Sequence, residues 1–171
     1  MTQPDLPSFS HLVTADRIVP GDPVTVSLTM SDEDRQALAK AWSIPGIEAL
    51  SGEALAARRG GVIEVEGRVR ARLVRQCVAS LEEMDEEIDE TFLATFTDRE
   101  EERTEGEFEA DLDAPEPMED GRLDLGSVLL EQLVLAIDPH PRRPDAEPVE
   151  DPGAGARITP FDVLKTMQKG S

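Results

Sequence analysis

The sequence is poor in the side chains on which most enzymes rely. It contains one cysteine, two histidines and no tyrosine, and aromatic residues make up only 4% of the chain. A single cysteine excludes an intramolecular disulfide and suits a reducing compartment. Cys77, His11 and His140 fall in separate segments, with no spacing typical of a catalytic dyad. We therefore expect a protein that is not an enzyme and has no cofactor, with Cys77 as a small core residue.

Positive charge is also scarce. The chain has 17 lysines and arginines but 37 aspartates and glutamates, which gives a formal net charge of −20. Such a field repels phosphate and favours basic partners. Half of the excess lies in residues 98–121, where twelve acids accompany two arginines and the chain shows no periodicity. This composition predicts a mobile acidic loop. Residues 139–160 contain six prolines and are predicted to form a surface linker.

Long hydrophobic runs are missing. The N-terminus lacks the basic and apolar regions of a signal peptide. The most apolar segment is a predicted helix of about 14 residues, whereas a membrane span needs about 20. We expect a cytoplasmic protein with no membrane partner, folded as one domain over residues 1–171. Its oligomeric state is not predicted.

Two segments carry helix signals. Ser31, followed by Asp34, resembles a capping box before a helix over residues 31–42. Asp124 is the predicted N-cap of an apolar helix over residues 124–137, which Pro139 prevents from continuing. The wide apolar stripe of this second helix predicts that it is the main core helix.

Strand signals occur in several places. Residues 9–29 predict two short strands around a turn at residues 20–23. Residues 62–81 carry the clearest strand signal, with strict alternation over more than ten residues, and they predict a long antiparallel strand with one solvent-exposed face. Residues 47–60 fit a strand or an irregular segment, and residues 82–97 fit a strand or a helix. The fold class that follows is α+β: an antiparallel sheet or partial barrel with a long hairpin, covered by two main helices.

A short basic row stands out from the acidic background. Arg68, Arg70 and Arg72 share the wet face of the long strand, inside a segment, 58–75, whose local charge is +4. One interpretation is a surface that binds RNA or a partner, although no aromatic residue is interleaved to stack on bases. The other is pairing with carboxylates of the next strand. These carboxylates would be Glu82, Glu83, Asp85 and Glu87.

Three segments resemble the YceD family of large ribosomal RNA accumulation proteins. They are the apolar helix with its sequence pattern DLG…EQL.LAIDP, the stretch VRARLVRQCVASLEE…IDETF of residues 69–92, and the tail ITPFDVLKTMQKG of residues 158–170. The N-terminal PSFSHLVTADRI is similar to the alphaproteobacterial branch of that family. Some members carry a Cys-x-x-Cys pair near Cys77. This chain has RQCVAS there, so we expect no metal site.

The resemblance implies that residues 82–97 form a strand paired with the preceding one. It also implies a non-enzymatic factor that supports accumulation or processing of large-subunit ribosomal RNA during assembly of the large subunit. The expected partner is a basic ribosomal protein, the precursor of the large-subunit RNA, or both. The composition by itself leaves an alternative, an acidic interaction adaptor unrelated to ribosomes.

Overall fold

The computed structural model describes residues 9–98 and 114–146. Most of the predicted acidic loop and most of the predicted linker lie outside these residues. So does the tail at residues 160–168, for which the sequence predicts a short helix that begins at Pro160. The described strands and helices follow in chain order. They are β1 (Leu12–Thr14), β2 (Val24–Thr29), α1 (Asp32–Trp42), β3 (Gly46–Arg59), β4 (Val62–Gln76), β5 (Glu83–Thr97), β6 (Glu116–Pro117), β7 (Arg122–Asp124) and α2 (Leu125–Ala136).

Over residues 9–98 and 114–146, the main sheet is open and has five strands in the order β2-β3-β4-β5-β6. All its pairs are antiparallel except β5 with β6, which is parallel. The α+β class is confirmed, and the described part of the sheet does not close into a barrel. Strands β4 and β5 form the predicted long hairpin, which settles residues 82–97 as a strand. Residues 47–60 are likewise a strand, because β3 pairs along almost its whole length with β4.

The N-terminal segment differs from its prediction in the extent of its first strand. Its first strand ends at Thr14, and a short 3-10 helix, Ala15–Arg17, replaces the rest. The strands β1 and β2 do not pair with each other across the turn at residues 20–23. Instead β1 pairs with β7 in a separate two-stranded sheet. The 3-10 turn is favoured because the Ala15 carbonyl accepts hydrogen bonds from both the Ile18 N–H and the Arg58 guanidinium.

Both helices begin at the predicted caps. The Ser31 hydroxyl accepts the Asp34 N–H at 3.2 Å and donates to the Asp34 carboxylate at 2.7 Å. Asp124 accepts the Gly126 N–H at 3.0 Å, and it also accepts the His11 N–H and the Ser10 hydroxyl. The Asp124 cap therefore fixes the start of α2 and the neighbouring N-terminal chain together.

The core lies between α2 and one face of the sheet. Leu125, Leu129 and Leu133 of α2 are fully buried, as are Val65 and Val69 of β4. The approach is close enough that two glycines are needed. A Cβ on Gly52 would lie 2.7 Å from Leu129 Cδ2, and a Cβ on Gly126 would clash with the Phe9 carbonyl. The other face of the five-stranded sheet, here called the open face, carries the predicted basic row.

Candidate partner-binding face

The basic row lies in the middle of the open face, on strand β4. Arg68, Arg70 and Arg72 alternate with the buried Val69 and Ala71, and each of the three arginines is exposed. They project between β3 and β5, because both neighbours pair with β4 along this stretch. The prediction that the three side chains share the wet face is therefore confirmed.

Each arginine of the row contacts carboxylates on the neighbouring strands. Arg68 forms two hydrogen bonds to Asp89, including Nη2 to Oδ2 at 2.6 Å. Arg70 lies 3.6 Å from both Asp89 and Glu53. Arg72 donates to Glu87 at 3.3 Å and lies 3.7 Å from Glu48. Three cations thus meet four carboxylates, and the open face has a local excess of negative charge.

The carboxylates that contact these arginines are only partly those that the sequence predicted on the next strand. Only Glu87 of the four predicted acids contacts the row. Arg70 lies opposite Asp89, whereas Glu83 lies opposite Gln76 and Asp85 opposite Val74. Glu82 instead contacts Arg143 at 2.7 Å. The length of the turn between β4 and β5 sets this register, and the alternation of polar and apolar residues does not reveal how long that turn is.

Two acids of β3, Glu48 and Glu53, were missed by the sequence analysis. Glu48 sits at a β-bulge between Ile47 and Ala49. Glu53 lies opposite Arg68 in the register and also contacts Arg70. The sequence left residues 47–60 as either a strand or an irregular segment. Choosing the strand would have predicted that both acids lie beside β4.

The Arg68–Asp89 pair changes the titration of both groups. The hydrogen bonds from Arg68 hold the pKa of the Asp89 carboxyl below its usual value, and those to Asp89 raise the pKa of Arg68. Both side chains are about half exposed, so solvent screens the interaction and the stabilisation is modest. The pair acts mainly to hold both side chains in one orientation.

All six arginines of the basic segment 58–75 contact a carboxylate. Beyond the row, the pairs are Arg58–Asp98, Arg59–Glu64 and Arg75–Glu86. The described residues hold 12 lysines and arginines against 24 aspartates and glutamates, so the folded part is itself acidic. The segment that looks basic in the sequence is therefore neutralised within the fold.

Cys77 lies at the end of the hairpin, outside the main core cluster. It is fully buried, and its Sγ accepts the N–H groups of Ser80 and Arg143 at 3.5 and 3.4 Å. The hydrogen bond from the Ser80 side chain, together with these backbone donors, lowers the pKa of the thiol to about 6. Cys77 is therefore small and buried, as predicted, but it is a hydrogen-bond acceptor in a polar environment.

The described residues show neither a metal cluster nor a spanning helix. Across residues 9–98 and 114–146, no three His, Cys, Asp or Glu side chains are grouped so that they could hold a metal ion. Neither described helix is long and apolar enough to cross a membrane.

Comparison with known proteins places the chain in a family. No curated protein and no solved structure matches it. A family model, described as large ribosomal RNA subunit accumulation protein YceD, matches residues 65–166. The match begins within β4 and includes the hairpin and α2, but it does not reach the N-terminal segment 7–18. Since it covers more than half of the chain, this protein belongs to the YceD family.

Proposed function

We propose that this protein supports accumulation of large-subunit ribosomal RNA by binding a basic ribosomal protein, without catalysing a reaction. The family description points to the RNA. The observation that carries the choice of partner is the pairing of all six arginines of residues 58–75 with carboxylates. A phosphate backbone would have to compete with these carboxylates inside a strongly acidic field. A basic protein would be attracted by the same field.

The competing function is direct binding of precursor ribosomal RNA through Arg68, Arg70 and Arg72. The two functions predict opposite effects of replacing all three arginines by alanine. If a basic protein binds, the replacement removes the arginine partners of four exposed carboxylates, and the affinity should rise by roughly threefold or more. If RNA binds, its affinity should fall, and the salt dependence should lose about one unit of slope for each lost phosphate contact.

The experiment uses the purified full-length chain at physiological salt. Binding is measured to purified basic proteins of the large subunit and, separately, to a large-subunit ribosomal RNA fragment. A matched control variant replaces Arg17, Lys40 and Arg122, three exposed cations outside the row, and changes the net charge equally. RNA binding that is lost in the row variant and kept in the control variant would overturn the proposal.

A test in cells separates the remaining alternative. Crosslinking followed by capture of the full chain should recover a basic large-subunit ribosomal protein. Recovery of acidic or non-ribosomal proteins alone would favour an interaction adaptor unrelated to ribosomes. Recovery of RNA fragments without protein would favour direct RNA binding.

A further inference from the structure

Strand β5 has one long side without a partner strand among the described residues. Its inner side pairs with β4 continuously from Glu83 to Phe96. On its outer side, the described part of the chain places only β6, which pairs at Phe96 and Thr97. Within the described part of the chain, about thirteen residues, 83–95, therefore form an open sheet edge. Such edges readily accept another strand, and native proteins usually shorten or cover them.

The backbone groups that face this edge are determined by the geometry at its end. The Thr97 carbonyl accepts the Met118 N–H at 2.8 Å, so the backbone of Thr97 faces outward. The direction alternates along a strand, and the register of β5 with β4 contains no shift. The outward N–H and C=O groups consequently belong to the other odd-numbered residues. They are Glu83, Asp85, Glu87, Asp89, Thr91, Leu93 and Thr95.

The charge of this edge selects among possible occupants. Six of the ten residues from Glu83 to Phe92 are acidic. Three of them, Glu86, Glu87 and Asp89, pair with arginines of β4, and the edge itself remains acidic. A second copy of β5 would place acids opposite acids, which is unfavourable for cross-strand pairs. A strand that carries lysine or arginine would be complementary along the same length.

Apolar side chains lie on both sides of the edge near its centre. On the helix side, a groove is lined by Thr91, Phe92 and Leu135, and Leu135 is 73% exposed. On the open face, Leu93 is 63% exposed. An added strand would direct alternate side chains to these two sides. Its apolar residues would therefore have contacts available on both.

We infer that the free edge of β5, residues 83–95, binds an extended basic segment of a protein partner as an added strand. Main-chain hydrogen bonds to the outward groups supply affinity, and the acidic and apolar side chains supply selectivity. The inference rests on the proposed function for the basic character of the partner, and it adds where and in what conformation that partner binds.

The test uses the full-length chain and a peptide of about ten residues in which lysine and valine alternate. The peptide should bind and protect the Asp89, Thr91 and Leu93 amides from hydrogen exchange. The Ile88 and Glu90 amides already face β4, so their protection should change little. A fully N-methylated peptide of equal charge lacks backbone donors, and it should bind at least about tenfold more weakly.

A pair of variants tests the same hydrogen bonds from the protein side. Thr91→Pro removes an N–H that faces the free edge, a position that proline tolerates in edge strands. It should weaken peptide binding about tenfold, whereas the matched variant Thr91→Ala should not. Thermal melting of both variants checks the fold, and the amide-protection pattern of the wild type tests the inference without any substitution.

Several results would overturn the inference. One is equal binding of the N-methylated peptide, which would mean that surface charge alone holds it. Another is protection of the odd-numbered β5 amides in the chain without peptide. Protection that depends on protein concentration would indicate a second copy at the edge, and protection that does not would indicate another segment of this chain. Selective protection by ribosomal RNA would also contradict it. If basic ribosomal proteins bind Thr91→Pro as well as the wild type, only this inference fails. If they do not bind the wild type, the proposed function fails.

Discussion

Cys77 shows that the neighbours of a side chain, more than its type, set its chemistry. The sequence predicts a small buried residue, and the side chain is indeed buried. Its sulfur nevertheless accepts hydrogen bonds from the turn that follows β4 and from Arg143, 66 residues later. These donors favour the thiolate, which is why the pKa of the thiol is lowered to about 6.

This lowered pKa predicts a pH dependence of stability. An unfolded cysteine has a pKa of about 8.5, so the thiolate stabilises the fold fully above that value. The contribution decreases as the pH falls and is lost below about 6. Urea denaturation should therefore show the free energy of unfolding of the wild type rising, relative to Cys77→Ala, between these two values. Parallel pH profiles for the two proteins would contradict the assignment.

At the scale of elements, helix α2 has two unlike apolar sides. Leu125, Leu129 and Leu133 pack against the sheet, whereas Val134 and Leu135 are exposed. The sequence predicted the helix and both its ends, but it assigned Val134 and Leu135 to the same wide apolar stripe as Leu129 and Leu133. Only one side of a helix can contact a single sheet face, so Val134 and Leu135 on the other side of α2 remain exposed.

This difference gives a matched pair of substitutions on α2. Leu133→Asp places an unpaired charge in the core and should destabilise the fold by more than about 4 kcal/mol. Leu135→Asp adds the same charge to the same helix at an exposed position, so it should change stability by only about 0.5 kcal/mol. Thermal or urea melting compares them. Wild-type stability of Leu133→Asp would show that α2 does not form the core.

The end of the hairpin and the chain that leaves α2 are joined by polar contacts. Glu86 binds Arg75 at 2.6 Å and accepts the Asp138 N–H at 2.9 Å, and both charged side chains are largely buried. Val78 donates to the Pro141 carbonyl at 2.9 Å. The first residues of the predicted linker are therefore held against the sheet.

Two glutamates at this junction should differ in their importance. Glu86→Ala leaves Arg75 buried without its carboxylate and should cost on the order of 3 kcal/mol. Glu82→Ala removes an exposed partner of Arg143 and should cost less than about 1 kcal/mol. Urea denaturation of the two variants measures the difference. Equal costs would mean that the burial of the Arg75–Glu86 pair does not contribute.

At the scale of the whole molecule, two electrostatic effects oppose each other. The net charge of −20 repels itself and destabilises the compact state. The ion pairs of the open face stabilise it locally, but they are exposed and individually weak. Because many unpaired acids act over long distances, we expect repulsion to dominate.

Salt should therefore stabilise this protein. Raising ionic strength from about 0.01 M to 0.15 M shortens the screening length from about 30 Å to about 8 Å, and the melting temperature should rise. The rise should be larger for the variant in which Arg68, Arg70 and Arg72 are replaced by alanine, because its net charge is more negative. A melting temperature that falls with salt would show that the ion pairs outweigh the repulsion.

The sequence by itself determined the local features. Alternation placed Arg68, Arg70 and Arg72 on one wet face, and the caps at Ser31 and Asp124 set the starts of both helices, since these patterns depend on neighbouring residues. Only the tertiary structure decided which carboxylates contact those arginines, which donors surround Cys77 and which side of β5 has no partner strand among the described residues. Each of these depends on strand register and on contacts between residues distant in the chain, and a local pattern carries no information about either.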